Sequence, residues 1–438
     1  MKCLIIAAGK GTRLRRKGEV KPLIPILGVP LIERVIRTAM EGGADDFYVV
    51  LGYQSKKIEN FLTLLTQTLN IPITTIQNDN WEKENGYSVL KAKEFIREPF
   101  ILLMSDHLFN PSIIKSMLLH SPQNGEVLLA VDTNTNNPLV DMDDVTRVKF
   151  ENSYISNIGK SINDFNGFDT GIFYCTPAIF NALEDSQKMH NDTTLSGAIR
   201  LLADKKRAKV HKIDEFWIDI DDETAFKKAK RKLLETLKSK TNDGPVSRWL
   251  NRPVSIRCSI WLVNYNITPN QISFFSFFLS LAAAIFFATG DYLYLFVGGI
   301  LAQFASIIDG SDGEVARLKY LSSEYGGWFD AVLDRYADAF LLFGLTWYVY
   351  FQDNAPLVLI VGFLAIIGSF MLSYTADKYD KLMKNRINKG IRLGRDVRVF
   401  LIFLGAIFNL PYLVLTVIAI VMNTETIRRI IICRDKNE

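Results

Sequence analysis

Cysteine and histidine are scarce in this chain, with four of each in 438 residues. Cys3, Cys175, Cys258 and Cys433 lie far apart and form no CxxC pair, which excludes a disulfide framework and a thiolate metal site and predicts free thiols in a reducing compartment. The histidines have no ligand spacing. An excess of one charge is also missing. The net charge of +4 is too mild to indicate a nucleic-acid partner. The opening run MKCLIIAAGKGTRL has too short an apolar stretch for a secretory signal and reads as a strand and a loop. Its glycines fit neither GxxxxGK[ST] nor GxGxxG, so neither a P-loop nor the dinucleotide fingerprint applies.

Long apolar runs are absent up to about residue 240 and frequent after about 267, so the mean hydropathy of +0.11 averages two unlike halves. In the first half, KCLIIAA, DDFYVVLG, PITTIQ, FILLMSDH, EVLLAVD and GIFYC read as strands, and PLIERVIRTAMEGG, KKIENFLTLLTQTL and SGAIRLLADKK as helices. Short apolar runs alternating with helices predict a mainly parallel, Rossmann-like α/β sheet over 1–240, closed by the charged helix ETAFKKAKRKLLETLKSK. Asn242-Asp243-Gly244-Pro245 marks a break. The linker 241–265 contains VSRWLNRPVSIRCSIWLVNYN, which reads as an amphipathic interfacial helix, with a plain linker helix as the alternative.

Residues 266–438 predict an all-α integral membrane domain with six transmembrane helices, near 268–289, 292–312, 326–351, 355–376, 397–409 and 411–424. The basic residues sort by side. Arg317 and Lys319 join spans two and three. Lys378, Lys381, Lys384, Arg386, Lys389, Arg392, Arg395 and Arg398 gather between spans four and five, and Arg428, Arg429 and Arg434 follow span six. The other turns carry no Lys or Arg, which places both termini on the cytoplasmic side of the cell membrane.

Four aspartates stand beside these apolar segments. A carboxylate at mid-bilayer costs about 2.5–3.5 kcal/mol on insertion scales, so four together require a reason. Asp309 and Asp312 are spaced i,i+3 and Asp330 and Asp334 i,i+4, so each pair shares a helix face. Two such faces turned together call for a hard divalent cation such as Mg2+ or Mn2+. The full run reads D-x2-D-G-x2-A-R-x8-G-x3-D-x3-D and resembles the CDP-alcohol phosphotransferase signature at every defining position, including Gly313, Ala316, Arg317 and Gly326. The resemblance covers about 245–430 and implies transfer of a phosphoryl-alcohol group from a CDP-alcohol to a hydroxyl, with CMP released. It implies Asp309, Asp312 and Asp330 as metal ligands and Asp334 as general base, in reach of a metal too. Gly313 and Ala316 would let the nucleotide approach closely, and Arg317 would pair with the diphosphate or snorkel. ITPNQIS places Ser273 either in the nucleotide pocket or as a helix cap. Arg392 and Arg395 fit either an anion pocket for a phosphorylated acceptor or the positive-inside signal.

AAGKGTRL followed by KPLIPILGVPLIERVI resembles the nucleotidyltransferase family that activates sugar and alcohol phosphates. That implies attack on the α-phosphorus of a nucleoside triphosphate, with a divalent metal. Ala8, Gly9, Gly11 and Thr12 would cradle phosphate oxygens, with Arg13 and Lys21 adding positive charge. Asp106 ends a central strand, where α/β sheets place ligand sites. WIDIDD resembles the second metal segment, with Asp219 first and Asp221 behind it. Asn85, Gly86 and Ser88 fall where relatives hold base and ribose, or cap a helix. Asp169 matches an acceptor region.

A shared CDP-alcohol joins the halves. The fusion resembles the bifunctional family that makes di-myo-inositol phosphate, which implies CTP and inositol 1-phosphate as substrates, the lipid bilayer as surroundings and a homodimer through the membrane domain. Phospholipid synthesis with another alcohol, and a catalytically dead N-terminal docking module, are the alternatives.

Overall fold

The computed structural model describes residues 1–238, 244–383 and 394–434, in two compact units, Met1–Lys232 and Leu233–Glu438. The first is a nine-stranded sheet with helices on its faces. Its strands are β1 (Lys2–Ala7), β2 (Asp46–Leu51), β3 (Ile73–Gln77), β4 (Phe100–Met104), β6 (Val127–Asp132), β7 (Arg147–Glu151), β8 (Tyr154–Gly159), β9 (Gly167–Cys175) and β10 (Ala208–Ile213), in the order β3-β2-β1-β4-β9-β6-β10-β8-β7. A separate two-stranded ribbon pairs β5 (His107–Phe109) with β11 (Trp217–Asp219).

The sheet is mixed rather than mainly parallel. Pairing is parallel across β3-β2-β1-β4 and between β6 and β10, and antiparallel at every other step. The apolar runs behind the parallel expectation do build the four-strand parallel block. Strands β7 and β8 escaped it because their polar alternation, RVKFE and YISNIG, lacks a continuous apolar run. Asn152 and Ser153 join them with φ of 48° and 68°, the two positive values of a type I′ hairpin turn. Leu4, Val50, Leu102, Leu129 and Phe173 build the core on one face, with the rings of Phe100 and Phe180 stacked 5.6 Å apart.

The second unit is helical. A short stretch, Ser247–Asn251, leads into the helix Arg252–Leu262. Six longer helices follow: Pro269–Ala288, Tyr292–Leu318, Glu324–Asp353, Pro356–Tyr374, Arg395–Ile407 and Pro411–Arg434. We call these the first to sixth bundle helices. The linker helix buries Ser255, Ile256 and Ser259, while Trp249 and Trp261 stay exposed. Thr268 opens the first bundle helix with a capping box completed by Gln271, so Thr268 and not Ser273 is its cap.

Three helices among the described residues are long and apolar enough to cross a membrane: the first, second and fourth. The third carries Asp330, Asp334, Arg335 and Asp338, and the fifth has 13 residues. The second helix also runs on through the first half of the aspartate motif, Asp309 to Arg317, to Leu318, past the expected end at 312.

Where apolar tails surround helices, close backbone approach takes over from water exclusion as the packing force. Gly344 on the third helix illustrates it: a Cβ there would lie 2.5 Å from the carbonyl oxygen of Ala284 on the first. Gly344→Val is expected to destabilise the bundle by about 1–3 kcal/mol. A lower melting midpoint of the full chain in detergent would show this; an unchanged midpoint refutes the close approach.

Candidate active sites

In the first unit, β1 and β4 are parallel neighbours with Ile6 opposite Met104. The loop after β1 and Asp106 after β4 therefore leave the same carboxyl edge of the sheet. The β5–β11 ribbon supplies the third component, because its register sets Asp219 opposite His107. Three segments distant in sequence thus bring Lys21, Asp106, His107, Asp219 and Asp221 together.

The buried Lys21 is the centre of this cluster. Its Nζ donates to Asp106 Oδ2 at 2.5 Å and also to Asp221 Oδ1. Arg13 Nη2 donates to Asp221 Oδ2 at 2.9 Å and contacts Asp144 Oδ2 at 2.6 Å. Burial works against the Lys21 charge, but the carboxylates of Asp106, Asp221 and Asp219 outweigh it and hold the amine well above its ordinary range. Burial likewise opposes ionisation of Asp106, yet Lys21 and His107 hold its carboxyl well below the usual range. Burial pushes Asp219 up to about 7, with His107 opposing and Asp106 and Asp221 reinforcing the rise. His107, desolvated but faced by Asp219 and Asp106, is pulled up to about 9, so its imidazolium Nδ1 donates to Asp106 Oδ1 at 2.9 Å.

Gly11 makes this possible. Its φ of 58° is left-handed, and a Cβ there would lie 2.5 Å from the Lys21 side chain. The cleft has two connected parts that share Asn85, Met104, His107, Asp219 and Asp221. One, of about 420 Å3, is lined by Ala8, Gly9, Gly11, Thr12, Trp81 and Ser88. The other, of about 470 Å3, is lined by Asp141, Asp144, Lys160, Asp169 and Lys228. Burial lifts Asp169 to about 6, against a hydrogen bond from the Gly171 amide. Asn85 Oδ1 accepts from the Leu195 amide at 2.9 Å, and Ser88 accepts from Asn78 at 3.0 Å. Gly86 lines neither part; a Cβ there would lie 2.5 Å from the Thr193 carbonyl oxygen, so its backbone is packed against 193–194.

In the second unit, carboxylate oxygens of Asp309, Asp330 and Asp334 lie within 4.8 Å of one another. Asp309 Oδ1 accepts from Ser276 Oγ at 2.8 Å, and Asp312 Oδ2 from Ser273 Oγ at 2.5 Å. Ser273 therefore reaches the motif from inside the first helix. Arg395 on the fifth helix projects into the cluster: Nη1 lies 2.7 Å from Asp309 Oδ2 and 2.5 Å from Asp334 Oδ1. Arg392 lies outside the described residues. Ala316 is buried, Arg317 is exposed, and a Cβ at Gly313 would meet only the Arg317 guanidinium, at 3.3 Å.

Both clusters suit a divalent cation. Asp330 Oδ1 and Asp219 Oδ1 are buried without a hydrogen-bond partner, the state of an oxygen that ligates a metal. Oxygen donors alone form the second cluster, which favours a hard ion. In the first, the charged His107 would have to lose its proton to ligate.

Several residues escaped the sequence reading. His107 and Asp144 depend on tertiary partners. Glu314 is fully buried inside the motif, where Arg252 Nη1 (2.8 Å), Ser255 Oγ (2.6 Å) and Ser259 Oγ (2.7 Å) surround it. Asp338 was visible, one turn beyond Asp334, but lies past the end of the signature.

Residues 3–163 match the model of the MobA-like NTP transferase domain, and 266–428 that of the CDP-alcohol phosphatidyltransferases. A "Bifunctional IPC transferase and DIPP synthase" from Rubrobacter xylanophilus is 32% identical over 98% of this chain and 95% of its own length. One of the same name from Aquifex aeolicus is 33% identical over 97% and 96%. A solved inositol-1-phosphate CTP transferase from T. maritima is 25% identical, with a TM-score of 0.48, over 55% of this chain and 98% of that one.

Gly11→Ala is expected to press on Lys21 and strain the loop, slowing pyrophosphate release by roughly tenfold or more. Transfer from CDP-alcohol supplied in solution should persist. Undiminished pyrophosphate release would refute the role given to this loop.

Proposed function

We propose that this chain, which belongs to the family of bifunctional IPC transferases and DIPP synthases, makes a CDP-alcohol in one half and consumes it in the other. The first half, taken as 1–240, joins CTP and inositol 1-phosphate into CDP-inositol and diphosphate. The second, 266–438 after the linker 241–265, passes phosphoinositol to another inositol 1-phosphate, giving phosphorylated di-myo-inositol phosphate and CMP. The observation that carries this reading is the pair of acidic clusters, one in each half of a chain similar to those relatives over nearly its whole length.

In the first step, Ala8, Gly9, Gly11 and Thr12 cradle the triphosphate, and Asn85 and Ser88 border the base and ribose, with Gly86 packed behind them against 193–194. Lys21 and Arg13 balance charge as the phosphate of inositol 1-phosphate attacks the α-phosphorus and diphosphate leaves. Asp169 lies on the acceptor side. In the second, Ser273, Gly313, Ala316 and Arg317 hold the cytidine diphosphate, and Arg395 and Arg392 serve the acceptor phosphate. Asp334 accepts the proton of the attacking hydroxyl, whose oxygen bonds to the β-phosphorus as the bond to CMP breaks. Asp106, Asp219 and Asp221 would hold Mg2+ or Mn2+ in the first half, and Asp309, Asp312, Asp330 and Asp334 in the second. The ion would neutralise phosphate charge and polarise the phosphorus under attack.

The six bundle helices are read as six spans of the cell membrane. The sorting of Lys and Arg into alternate turns of the sequence supports a topology with both termini, the first half and the aspartates on the cytoplasmic face, where water-soluble substrates reach them. A homodimer through the membrane domain completes the reading.

Mass spectrometry of products from CTP, Mg2+ and inositol 1-phosphate with the full chain in detergent tests the sequence of steps. CDP-inositol followed by phosphorylated di-inositol phosphate is expected. CDP-inositol whose phosphoinositol moves only to an added lipid acceptor would overturn the second step in favour of phospholipid synthesis. Asp334→Asn should abolish transfer, a loss of at least about 100-fold, and leave pyrophosphate release intact. Retained transfer refutes Asp334 as base.

A further inference from the structure

Asp330, Asp334 and Asp338 follow one another at i, i+4 and i+8 on the third bundle helix, so they share one face. Only the first two belong to the signature. Asp338 is 3% exposed, and both its oxygens are committed to cations on the fifth helix. Oδ1 accepts from Arg395 Nε at 3.2 Å, and Oδ2 accepts from Arg398 Nη2 at 2.6 Å and from Ser369 Oγ at 3.2 Å. It is not among the three carboxylates that converge within 4.8 Å. Its partners are therefore arginines and a serine, in contrast to its helical neighbours.

We propose that Asp338 is a positioning residue of the transfer step: it orients Arg395 and Arg398 side by side as a phosphate-recognising pair for the acceptor. Arg395 and Arg398 are spaced i,i+3, so their guanidinium groups face the same way and repel each other. A carboxylate between them removes that repulsion. Binding Arg395 through Nε fixes the plane of its guanidinium and leaves the Nη side directed at Asp309 and Asp334, where the hydroxyl is activated. Arg398 is itself buried, with its Nε making no hydrogen bond, so it backs the pair from inside the bundle while Arg395 faces the cluster. A planar guanidinium fork held in one orientation suits the oxygens of a phosphate monoester. Asp338 need not touch the acceptor; it decides where the two arginines point.

The inference rests on the reading of the second half as a transferase with a phosphorylated acceptor. The test uses the full chain in detergent with CDP-inositol and inositol 1-phosphate, comparing wild type, Asp338→Asn and Asp338→Glu. Asp338→Asn should raise KM for inositol 1-phosphate by roughly tenfold or more and change KM for CDP-inositol by less than about twofold. Asp338→Glu should recover part of the loss, and pyrophosphate release in the first half should be unchanged in both variants. Should Asp338→Asn fail to fold, Arg395→Lys, which keeps the charge but loses the Nε donor, must show the same split. Unchanged acceptor KM in the folded variant, or both KM values rising together, overturns the role of Asp338 alone. Absence of turnover in the wild type overturns the transferase reading and this inference with it.

Discussion

Clustered carboxylates must be neutralised when they leave water, and much of this molecule is arranged around that requirement. Like charges a few ångströms apart in a poorly solvated site repel by several kcal/mol unless a cation stands between them. Each half sets a basic side chain from elsewhere in its unit between two of the carboxylates. Lys21 stands between Asp106 and Asp221, and Arg395 between Asp309 and Asp334. The surrounding sequence follows from those placements. Gly11 is left-handed and free of a side chain because the Lys21 stem occupies the adjoining space. The fifth bundle helix is short, yet its first turn carries the arginine that reaches the cluster.

The two solutions differ in ways that follow from their scaffolds. An α/β sheet delivers its acidic groups from strand ends and a small ribbon, so the register between Asp219 and His107 sets the geometry. A helical bundle delivers them from faces, so spacing along the chain sets it. That difference governs what the sequence disclosed. The aspartates of the bundle were legible because i,i+3 and i,i+4 spacing is a statement about one helix, and two such statements met in one cluster. The Gly-rich loop, Lys21 and Asp106 were legible through their order after strands. His107 was not, because one histidine in a turn has no periodicity, and its charge depends on Asp219 more than a hundred residues away. Asp338 continued the visible i+4 series, but a motif with a fixed end hid it.

The sheet shows the same limit. Apolar runs marked β1 to β4, where both faces are covered and side-chain pattern reports burial. They could not report direction, and β9 enters antiparallel beside β4. The hairpin of β7 and β8 depends on two residues with positive φ, neither of them glycine, which is weak evidence in a sequence and decisive in a structure.

Glu314 has a consequence for how such a chain could be divided. The match to the CDP-alcohol phosphatidyltransferases begins at residue 266, yet this fully buried carboxylate, two residues from Asp312, finds its cation and both hydroxyls in 252–259. A membrane half severed at 266 would keep the acid and lose all three partners, a penalty of about 3–5 kcal/mol for an unpaired buried charge. The natural seam between the two enzymes therefore lies upstream of Arg252. A gene split or domain exchange made there would carry the short helix along as part of the transferase, not as tether.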